Sequence, residues 1–191
     1  MAGTRYRSGA PLKLTGILGG SFNPAHRGHR AISLAALDQL GLSEAWWLVS
    51  PGNPLKPAKD MAPLDARLGS ARAMARRSRI RPTAIEAQLH TRYTIDTVRA
   101  LVRRFPKRRF IWIMGADNLV QFHRWERWRD ILRSVAVGVL ARPGSGVAAR
   151  MSVAARAFRV HRVARGETLR GHAPPVWAFV NLPMNEASST A

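Results

Sequence analysis

Short apolar runs alternate with amphipathic segments along the chain, and this alternation predicts the secondary structure. Leu12–Leu18 is an apolar run ended by two glycines, and it predicts a first strand. Gly28–Leu40 follows with apolar residues at helical spacing and Gly41 after it, which is typical of an amphipathic helix stopped by a glycine. Ala45–Val49 is a second apolar run, ended by a cluster of turn-forming residues. The start of the chain therefore predicts a strand, a helix and a second strand.

The same alternation continues to residue 181. Further strands are predicted at Arg79–Ala87, Phe110–Met114, Ser134–Leu140 and Val176–Asn181. Further helices are predicted at Leu64–Ala75, Thr94–Phe105, Asp117–Phe122, Trp125–Leu132 and Ala148–Phe158. Pro82 confines its strand to a sheet edge or to a strand start, because proline cannot donate to a ladder. Strands that alternate with helices form parallel βαβ units, and strands this apolar suit a sheet covered on both faces. We therefore predict an α/β fold, a Rossmann-like open and mainly parallel sheet with helices on both faces.

The 191-residue chain has about the length of one domain, for which ~150 residues is a usual size. Residues 1–11 are polar and lack an apolar centre, so we expect a loose N-terminal tail and no secretory signal. Residues 12–191 are expected to form one domain. The longest smooth apolar stretch, Val135–Ala141, is far too short to span a bilayer, so we expect a cytoplasmic protein without a membrane partner.

Composition narrows the class of protein. Hydrophobic residues make up 46% of the chain, which excludes a disordered or collagen-like protein. Because the chain contains no cysteine, it has no disulfide framework, thiol nucleophile or cysteine metal site.

The net charge of +20, from 31 Lys and Arg residues against 11 Asp and Glu, points to an anionic partner. Most of the basic residues are arginines, and several pairs are three or four residues apart, as on exposed helix faces. A solvated arginine-rich surface and an attraction of polyanions, nucleotides included, both explain this charge. Nucleic acid is the less expected partner, since the chain has no long basic block, no aromatic RNA-binding signature and no cysteine for a finger.

The segment GGSFNPAHRGH, from Gly19 to His29, lies between the first predicted strand and the first predicted helix. Ligands collect at the carboxyl ends of strands in such sheets, and glycines and helix amides there can approach a phosphate. His26 and His29 could face the same phosphate and stabilise charge that develops on it. The two histidines could instead bind a metal, although no cysteine or nearby carboxylate completes a site, or be ordinary surface residues.

Gly20, Phe22, Pro24 and the His26-x-Gly28-His29 signature resemble the HxGH nucleotidyltransferase superfamily. The whole string is similar to that of bacterial nicotinate-nucleotide adenylyltransferases, whose members commonly carry Asp where this chain has Asn23. The resemblance implies transfer of the adenylyl group of ATP to nicotinate mononucleotide, with Mg²⁺ accompanying ATP. It implies His26 and His29 as catalytic residues. It implies phosphate contacts from the backbone of Gly19, Gly20, Ser21 and Phe22.

Two later segments resemble the part of this family that holds the mononucleotide. Tyr93-Thr94-Ile95-Asp96-Thr97 is similar to its Tyr-Thr-x-x-Thr segment, which implies that Tyr93 and Thr94 hold the pyridine end, although both could be helix caps only. Trp125 and Trp128 resemble its aromatic pair, and the first of them would stack on the nicotinate ring while Trp128 belongs to the core.

The loop after the second strand, WLVSPGNPLK, resembles the Pro/Asn-rich loop of the family, with Leu55 where a histidine is common. It assigns Asn53 to the mononucleotide and Lys56 to the triphosphate, unless Lys56 is only an exposed loop lysine. Met114-Gly115-Ala116-Asp117 resembles the segment beside the ATP adenosine, where Asp117 would accept from a ribose hydroxyl or only cap a helix.

Arg142-Pro143-Gly144 matches a turn near adenine, and Asn185–Ala191 looks like the start of the C-terminal Ser-Ser-Thr-x-Ile-Arg signature. The resemblance gives Ser188, Ser189 and Thr190 to the outer phosphates. Because Ile-Arg does not follow, we expect that the domain is cut short at its C-terminus. Three alternatives stay open: a related nucleotidyltransferase with another phosphate acceptor, a basic nucleic-acid-binding protein, and an inactive homologue.

Overall fold

Seven parallel strands form one sheet in the computed structural model, which describes residues 12–52, 61–141 and 146–182. The strands are β1 Lys13–Gly20, β2 Glu44–Val49, β3 Ile80–Thr83, β4 Arg108–Gly115, β5 Ala136–Ala141, β6 Arg162–Val163 and β7 Trp177–Asn181. Their order across the sheet is β3-β2-β1-β4-β5-β7-β6. The predicted α/β fold with an open parallel sheet is therefore confirmed.

Helices cover both faces of the sheet. They are α1 Arg27–Gln39, α2 Leu64–Met74, α3 Ile85–Leu89, α4 Thr94–Arg104, α5 Ala116–Gln121, α6 Trp128–Ser134, α7 Gly146–Arg150 and α8 Val153–Ala157. Helices α1 and α2 pack on one face through buried residues such as Leu37 and Ala71. Helices α3 to α8 pack on the other face, where Ile95, Leu101 and Ile131 join the core. Strands buried between two helical layers explain why their sequences are continuously apolar.

The predicted first helix is confirmed to within one residue at each end. Gly41 adopts a φ of 62°, a left-handed conformation that glycine takes without steric cost. The amides of Gly41 and Leu42 then bond back to the carbonyls of Asp38 and Leu37, which satisfies the end of α1. Helix α4 likewise ends at Arg104, just before Pro106.

The predicted strand Arg79–Ala87 is too long. Strand β3 ends at Thr83, and Ile85 already begins α3. Both Ile85 and Glu86 are buried in that short helix, so burial in this segment does not require an extended chain. Strand β3 lies at the edge of the sheet, as Pro82 predicts.

Two predicted helices have different bounds. The helix expected at Trp125–Leu132 begins only at Trp128, because Arg127 before it has a φ of 48° and interrupts the turn. The helix expected at Ala148–Phe158 is divided in two, since the hydroxyl of Ser152 caps α8 by accepting from the amide of Ala155.

The pattern missed β6 and the 3₁₀ helix Gly166–Gly171, as well as α3. Strand β6 is two residues long, too short for any period to register. The 3₁₀ helix buries Leu169 completely against the α1 face. The expected tail, residues 1–11, lies outside the described residues. In the part of the chain that the structure describes, no helix is long and apolar enough to cross a membrane.

A polar cluster lies at the amino ends of the neighbouring strands β2, β1 and β4. Glu44 begins β2 and is only 8% exposed. Its carboxylate accepts from Lys13 Nζ at 2.9 Å, from Trp46 Nε1 at 2.9 Å and from the guanidinium of Arg108. Burial alone would raise the pKa of Glu44, but hydrogen bonds from these three residues and the charge of Arg108 outweigh it, so the pKa is lowered.

We expect Glu44→Gln to lower the free energy of unfolding at neutral pH by about 1–3 kcal/mol, the range for lost hydrogen bonds to charged groups. Because the folded-state pKa is lowered, this contribution is present above the unfolded pKa and disappears as the pH falls through the folded pKa. Urea unfolding at several pH values should show the two proteins converging in acid. Glu126→Gln, at an exposed carboxylate, is the control and should show no comparable pattern. A constant difference at every pH would contradict the assignment.

Candidate active site

The order of the strands reverses between β1 and β4, which makes this pair the topological switch point of the sheet. The two strands pair in parallel, with Leu18 opposite Ile113, so their carboxyl ends lie side by side. Gly20 ends β1 and Gly115 ends β4. In open α/β sheets the chains leaving such a point diverge and open a crevice for a ligand. The segment that starts at Gly19 and the segment that starts at Met114 thus meet at the carboxyl ends of these two strands.

Packing against Trp112 explains the glycine at position 19. A Cβ atom there would lie 2.8 Å from Cη2 of Trp112, whose side chain is 2% exposed. At Gly115, in contrast, a Cβ atom would meet nothing within 4 Å. The space above Gly115 is therefore open, whereas that above Gly19 is filled by the protein itself.

The Phe22 side chain belongs to the core. It is 1% exposed and stacks on Trp47, with ring centroids 5.0 Å apart and an interplanar angle of 21°. The backbone of Phe22 has a φ of 46°, in the left-handed region that side chains rarely adopt. Only the backbone of Phe22 can therefore take the phosphate role that the sequence predicts for it.

His26 and His29 lie together at the start of α1. Their ring centroids are 3.8 Å apart. The amide of Gly28 donates to Nδ1 of His26 at 3.1 Å, and the amide of His26 donates to Nδ1 of His29 at 3.2 Å. An imidazole nitrogen that accepts a hydrogen bond carries no proton, so each neutral ring holds its proton on Nε2. Two N–H donors are thereby prepared beside the end of β1.

The backbone beneath His29 is supported from the sheet. Ser33 donates its hydroxyl to the carbonyl of His29 at 2.9 Å, and Trp47 Nε1 donates to the same hydroxyl at 2.7 Å. The His29 ring also packs on Phe22, with centroids 4.7 Å apart. Both buried aromatic residues therefore help to fix the position of the histidine ring.

The residues expected at the pyridine ring lie at the start of α4 and near β4. Tyr93 is the N-cap residue of α4, but its side chain makes no capping bond, and Thr94 is the first helical residue. Trp125 is half-buried and meets Trp112 edge-to-face at 6.2 Å and Phe122 at 5.1 Å. Trp128 is 7% exposed, which confirms the prediction that it belongs to the core.

Asp117 lies in the first turn of α5 and is exposed. The N-cap residue of that helix is Gly115, so the alternative that Asp117 is the N-cap is wrong. Asp117 follows Gly115 by two residues, so it belongs to the same turn of chain that leaves β4.

The model of the cytidylyltransferase-like family matches residues 17–191. A protein of Cereibacter sphaeroides, named a "probable nicotinate-nucleotide adenylyltransferase", is 56% identical over 178 residues, which cover 93% of this chain and 95% of that protein. A Ruegeria pomeroyi protein of the same name is 53% identical over 94% of this chain and 85% of its own length. The chain belongs to the nicotinate-nucleotide adenylyltransferase family.

The nicotinic acid mononucleotide adenylyltransferase of Plasmodium falciparum, solved as a complex with NaAD, has a TM-score of 0.66 to this structure. The match covers 91% of this chain and 77% of that one, with 16% sequence identity. At this identity the likeness supports the fold alone. The seven-stranded sheet is therefore the fold of a nicotinate-nucleotide adenylyltransferase.

Several residues expected in a nicotinate-nucleotide adenylyltransferase site fall outside the described part of the chain, so their placement stays a prediction. They are Asn53, Lys56, Arg142, Ser188, Ser189 and Thr190. The described residues bring together Gly19, Gly20, Ser21, Phe22, His26 and His29 around the end of β1, with Gly115 and Asp117 beside them.

Sequence reasoning missed two buried charged residues of this family member close to the site, Arg67 and Glu86. They are 3% and 8% exposed. Arg67 lies in α2, in a run of arginines that resembles a solvated surface, and Glu86 lies in the segment taken for a strand. The one sequence feature that could have identified them is a charged residue at a helix position where the period of about 3.6 residues predicts an apolar residue.

Paired alanine substitutions test the two glycines. We expect Gly19→Ala to lower the free energy of unfolding by about 1–3 kcal/mol, because the Trp112 indole must move. Gly115→Ala should cost less than about 1 kcal/mol, as alanine is only a poorer N-cap, while it weakens nucleotide binding by filling the open space. Urea unfolding and isothermal titration with ATP measure the two effects. The assignment is wrong if Gly115→Ala is the less stable variant.

Proposed function

We propose that the protein transfers the adenylyl group of ATP to nicotinate mononucleotide, giving nicotinate adenine dinucleotide and pyrophosphate. The observation that carries this proposal is the pair His26 and His29, which lie together at the start of α1, the helix that follows β1, and keep Nε2 as their donor. Membership of the family and the high identity to its named members support the same reaction.

The proposed chemistry is a direct in-line displacement at phosphorus. A phosphate oxygen of the mononucleotide attacks the α-phosphorus of ATP, a new P–O bond forms, and the bond to the β-phosphate oxygen breaks. Pyrophosphate leaves with the electron pair of that bond, so no covalent enzyme intermediate is needed. Positioning of the two substrates and stabilisation of the developing charge then supply the catalysis.

His26 and His29 would donate their Nε2 protons to the oxygens of the α-phosphate. Charge grows on these oxygens in the transition state, and donors held in place beforehand stabilise it without reorganisation. The backbone amides from Gly19 to Phe22 and the first turn of α1 would seat the remaining phosphate oxygens.

The mononucleotide would bind with its pyridine ring against Trp125 and its carboxylate at the start of α4. A half-buried indole offers a flat face to an electron-poor ring. The amides at the first turn of α4 carry partial positive charge, and Tyr93 does not cap them with its side chain. This arrangement favours the acid over the amide form of the ring.

ATP would contact Gly115 and Asp117, with a ribose hydroxyl donating to the carboxylate of Asp117. We propose that Lys56 and Arg142 add positive charge around the triphosphate and adenine. Ser188, Ser189 and Thr190 would receive the outgoing pyrophosphate, and Asn53 the mononucleotide.

We propose that Mg²⁺ enters on ATP. Over the described ranges no group of three or more His, Cys, Asp or Glu side chains could hold a metal ion. Phosphate oxygens and water would therefore supply most of the coordination, as is usual for this ion. Bound Mg²⁺ neutralises charge on the β- and γ-phosphates. A cytoplasmic location stays a prediction.

The full chain should form pyrophosphate and nicotinate adenine dinucleotide from ATP, nicotinate mononucleotide and Mg²⁺. We expect a higher kcat/KM with nicotinate mononucleotide than with nicotinamide mononucleotide, because only the acid carries a carboxylate for α4. Product analysis by chromatography decides the outcome. Phosphopantetheine as acceptor and CTP as donor are the competing arms, and turnover with one of them alone would replace the proposal.

His29→Ala should reduce kcat by about 30- to 1000-fold, which corresponds to about 2–4 kcal/mol of lost transition-state stabilisation. His172→Ala is the matched control, because His172 is exposed and precedes β7 at the opposite, amino edge of the sheet. Steady-state kinetics should show normal turnover for the control. Normal turnover by His29→Ala would remove that residue from the mechanism.

A further inference from the structure

Arg67 is a buried cation whose partners are neutral. Its side chain projects from α2, and the residue is 3% exposed. Nε donates to the carbonyl of Ala62 at 2.8 Å, and one terminal nitrogen donates to the carbonyls of Ser21 and Ser50, each at 2.7 Å. Among the described residues it forms no ion pair with a carboxylate. Burial lowers the pKa of Arg67. Such a costly placement needs a reason.

One of these bonds fixes a peptide unit of the candidate site. The Ser21–Phe22 peptide is trans, so its carbonyl and its N–H point in opposite directions. Because Arg67 holds the Ser21 carbonyl on the buried side, the N–H of Phe22 is directed away from Arg67. This orientation coincides with the left-handed φ of Phe22, which no ordinary loop preference would favour. A backbone amide held in a fixed direction in this way suits an anion.

A second bond fixes Ser50, which follows β2. The amide of Ser50 donates to the carbonyl of Gly20 at 3.0 Å, while its carbonyl accepts from Arg67. The Ser50 hydroxyl lies within hydrogen-bonding reach of both the carbonyl of Gly52 and the carboxyl of Glu86, and its single proton serves one of these acceptors at a time. Ser50 thus connects the chain leaving β1, helix α2 and helix α3.

Glu86 continues this connection to α4. Its Oε1 accepts from the hydroxyl of Thr97 at 3.0 Å, and that hydroxyl lies 2.8 Å from the hydroxyl of Thr91. Thr97 is buried one turn after Thr94, where the mononucleotide ring is proposed to bind. Burial raises the pKa of Glu86, although hydrogen bonds from Thr97 and Ser50 act in the opposite direction. A chain of buried polar groups therefore runs from the loop after β1 to the start of α4.

We propose that Arg67 and Glu86 are positioning residues that meet at Ser50 and hold the two substrate sites in register. Arg67 orients the phosphate-binding loop from Gly20 to Phe22, and Glu86 orients the first turn of α4. This inference rests on the proposed function, because it assigns the two ends of one chain to two substrates of one reaction. Neither side chain needs to touch a substrate.

The geometry demands arginine at position 67. A guanidinium is planar and presents its donors in a rigid fork, so that one side chain can hold carbonyls from three segments at once. A lysine ammonium retains the positive charge but lacks that fork. Arg67→Lys therefore separates orientation from charge, and it is a better probe than removal of the side chain, which deprives three carbonyls of this donor.

We expect Arg67→Lys to reduce kcat by about 10- to 100-fold, since a misplaced loop displaces the reacting phosphates. KM for both substrates should change much less than kcat. Ala71→Gly is the matched control, because it destabilises the same helix at a buried position whose side chain has no hydrogen-bond donor for either loop. Steady-state kinetics and thermal unfolding on both variants separate orientation from stability. If Arg67→Lys keeps the kcat of Ala71→Gly, the positioning role is overturned.

Glu86 is tested by a conservative and a truncating substitution. Glu86→Ala should raise KM for the mononucleotide more than KM for ATP, because the first turn of α4 loses its anchor. Glu86→Gln should restore most of the wild-type KM, since an amide can still accept from Thr97 and donate to Ser50. An equal KM in Glu86→Ala and the wild type would overturn this half of the proposal.

Hydrogen exchange of the free protein gives a readout that needs no turnover. Amides of residues 20–28 should exchange faster in Arg67→Lys than in Ala71→Gly once global stability is matched with urea. Equal exchange in the two variants would overturn the role of Arg67. If the wild type fails to turn over its proposed substrates, the proposed function fails, while the exchange measurement still decides what Arg67 does.

Discussion

The parallel pairing of β1 with both β2 and β4 is the constraint on which the candidate site depends. The middle residues of β1 are buried, whereas Gly19 and Gly20 at its carboxyl end are partly exposed. Strands β2 and β3 lie on one side of β1, and β4 and the later strands lie on its other side. The chains that leave the carboxyl ends of β1 and β4 therefore run to opposite sides and separate. The Trp112 ring packs directly on Gly19, which has no side chain to keep it away. The last residues of β1 and β4 lie beyond this contact, at the carboxyl ends of the two strands.

Much of the fold could be predicted because strands that are buried on both faces require long runs of apolar residues. Strands β1, β2, β4, β5 and β7 each coincide with such a run. The elements that sequence reasoning missed are short. Strand β6 has two residues, and the five-residue helix α3 begins two residues after β3 ends, within one predicted strand. A turn of helix and a strand of the same length bury the same residue types, so only the tertiary surroundings distinguish them.

The candidate site was predicted unevenly for a related reason. Residues near one another in sequence, such as His26 and His29, were found because their spacing is visible along one segment. Arg67 and Glu86 contact carbonyls and hydroxyls of segments that are distant in sequence. Such contacts form only in the folded chain, so the spacing of residues along the sequence does not predict them. Family resemblance likewise identifies residues that touch ligands more readily than residues that hold the backbone behind them.

The basic residues that give the chain its large positive charge have more than one structural role in the folded protein. At the amino edge of the sheet, Lys13 and Arg108 neutralise Glu44, and on the surface Asp130 pairs with Arg99, Arg127 and Arg133. Arg67 is different, because it is buried among carbonyls. The arginine-rich composition therefore combines a solvated surface with at least one internal structural cation.

The hydrogen bonds that begin α1 link the tautomer of the two histidines to the folding of that helix. Each Nδ1 accepts a backbone amide in the first turn of α1, so in a neutral ring this nitrogen carries no proton. The same turn leaves the Nε2 position as the bearer of the proton. Folding thus selects the tautomer before any nucleotide arrives, because the two rings that accept backbone amides at the helix start are the same two rings that present Nε2 as a donor.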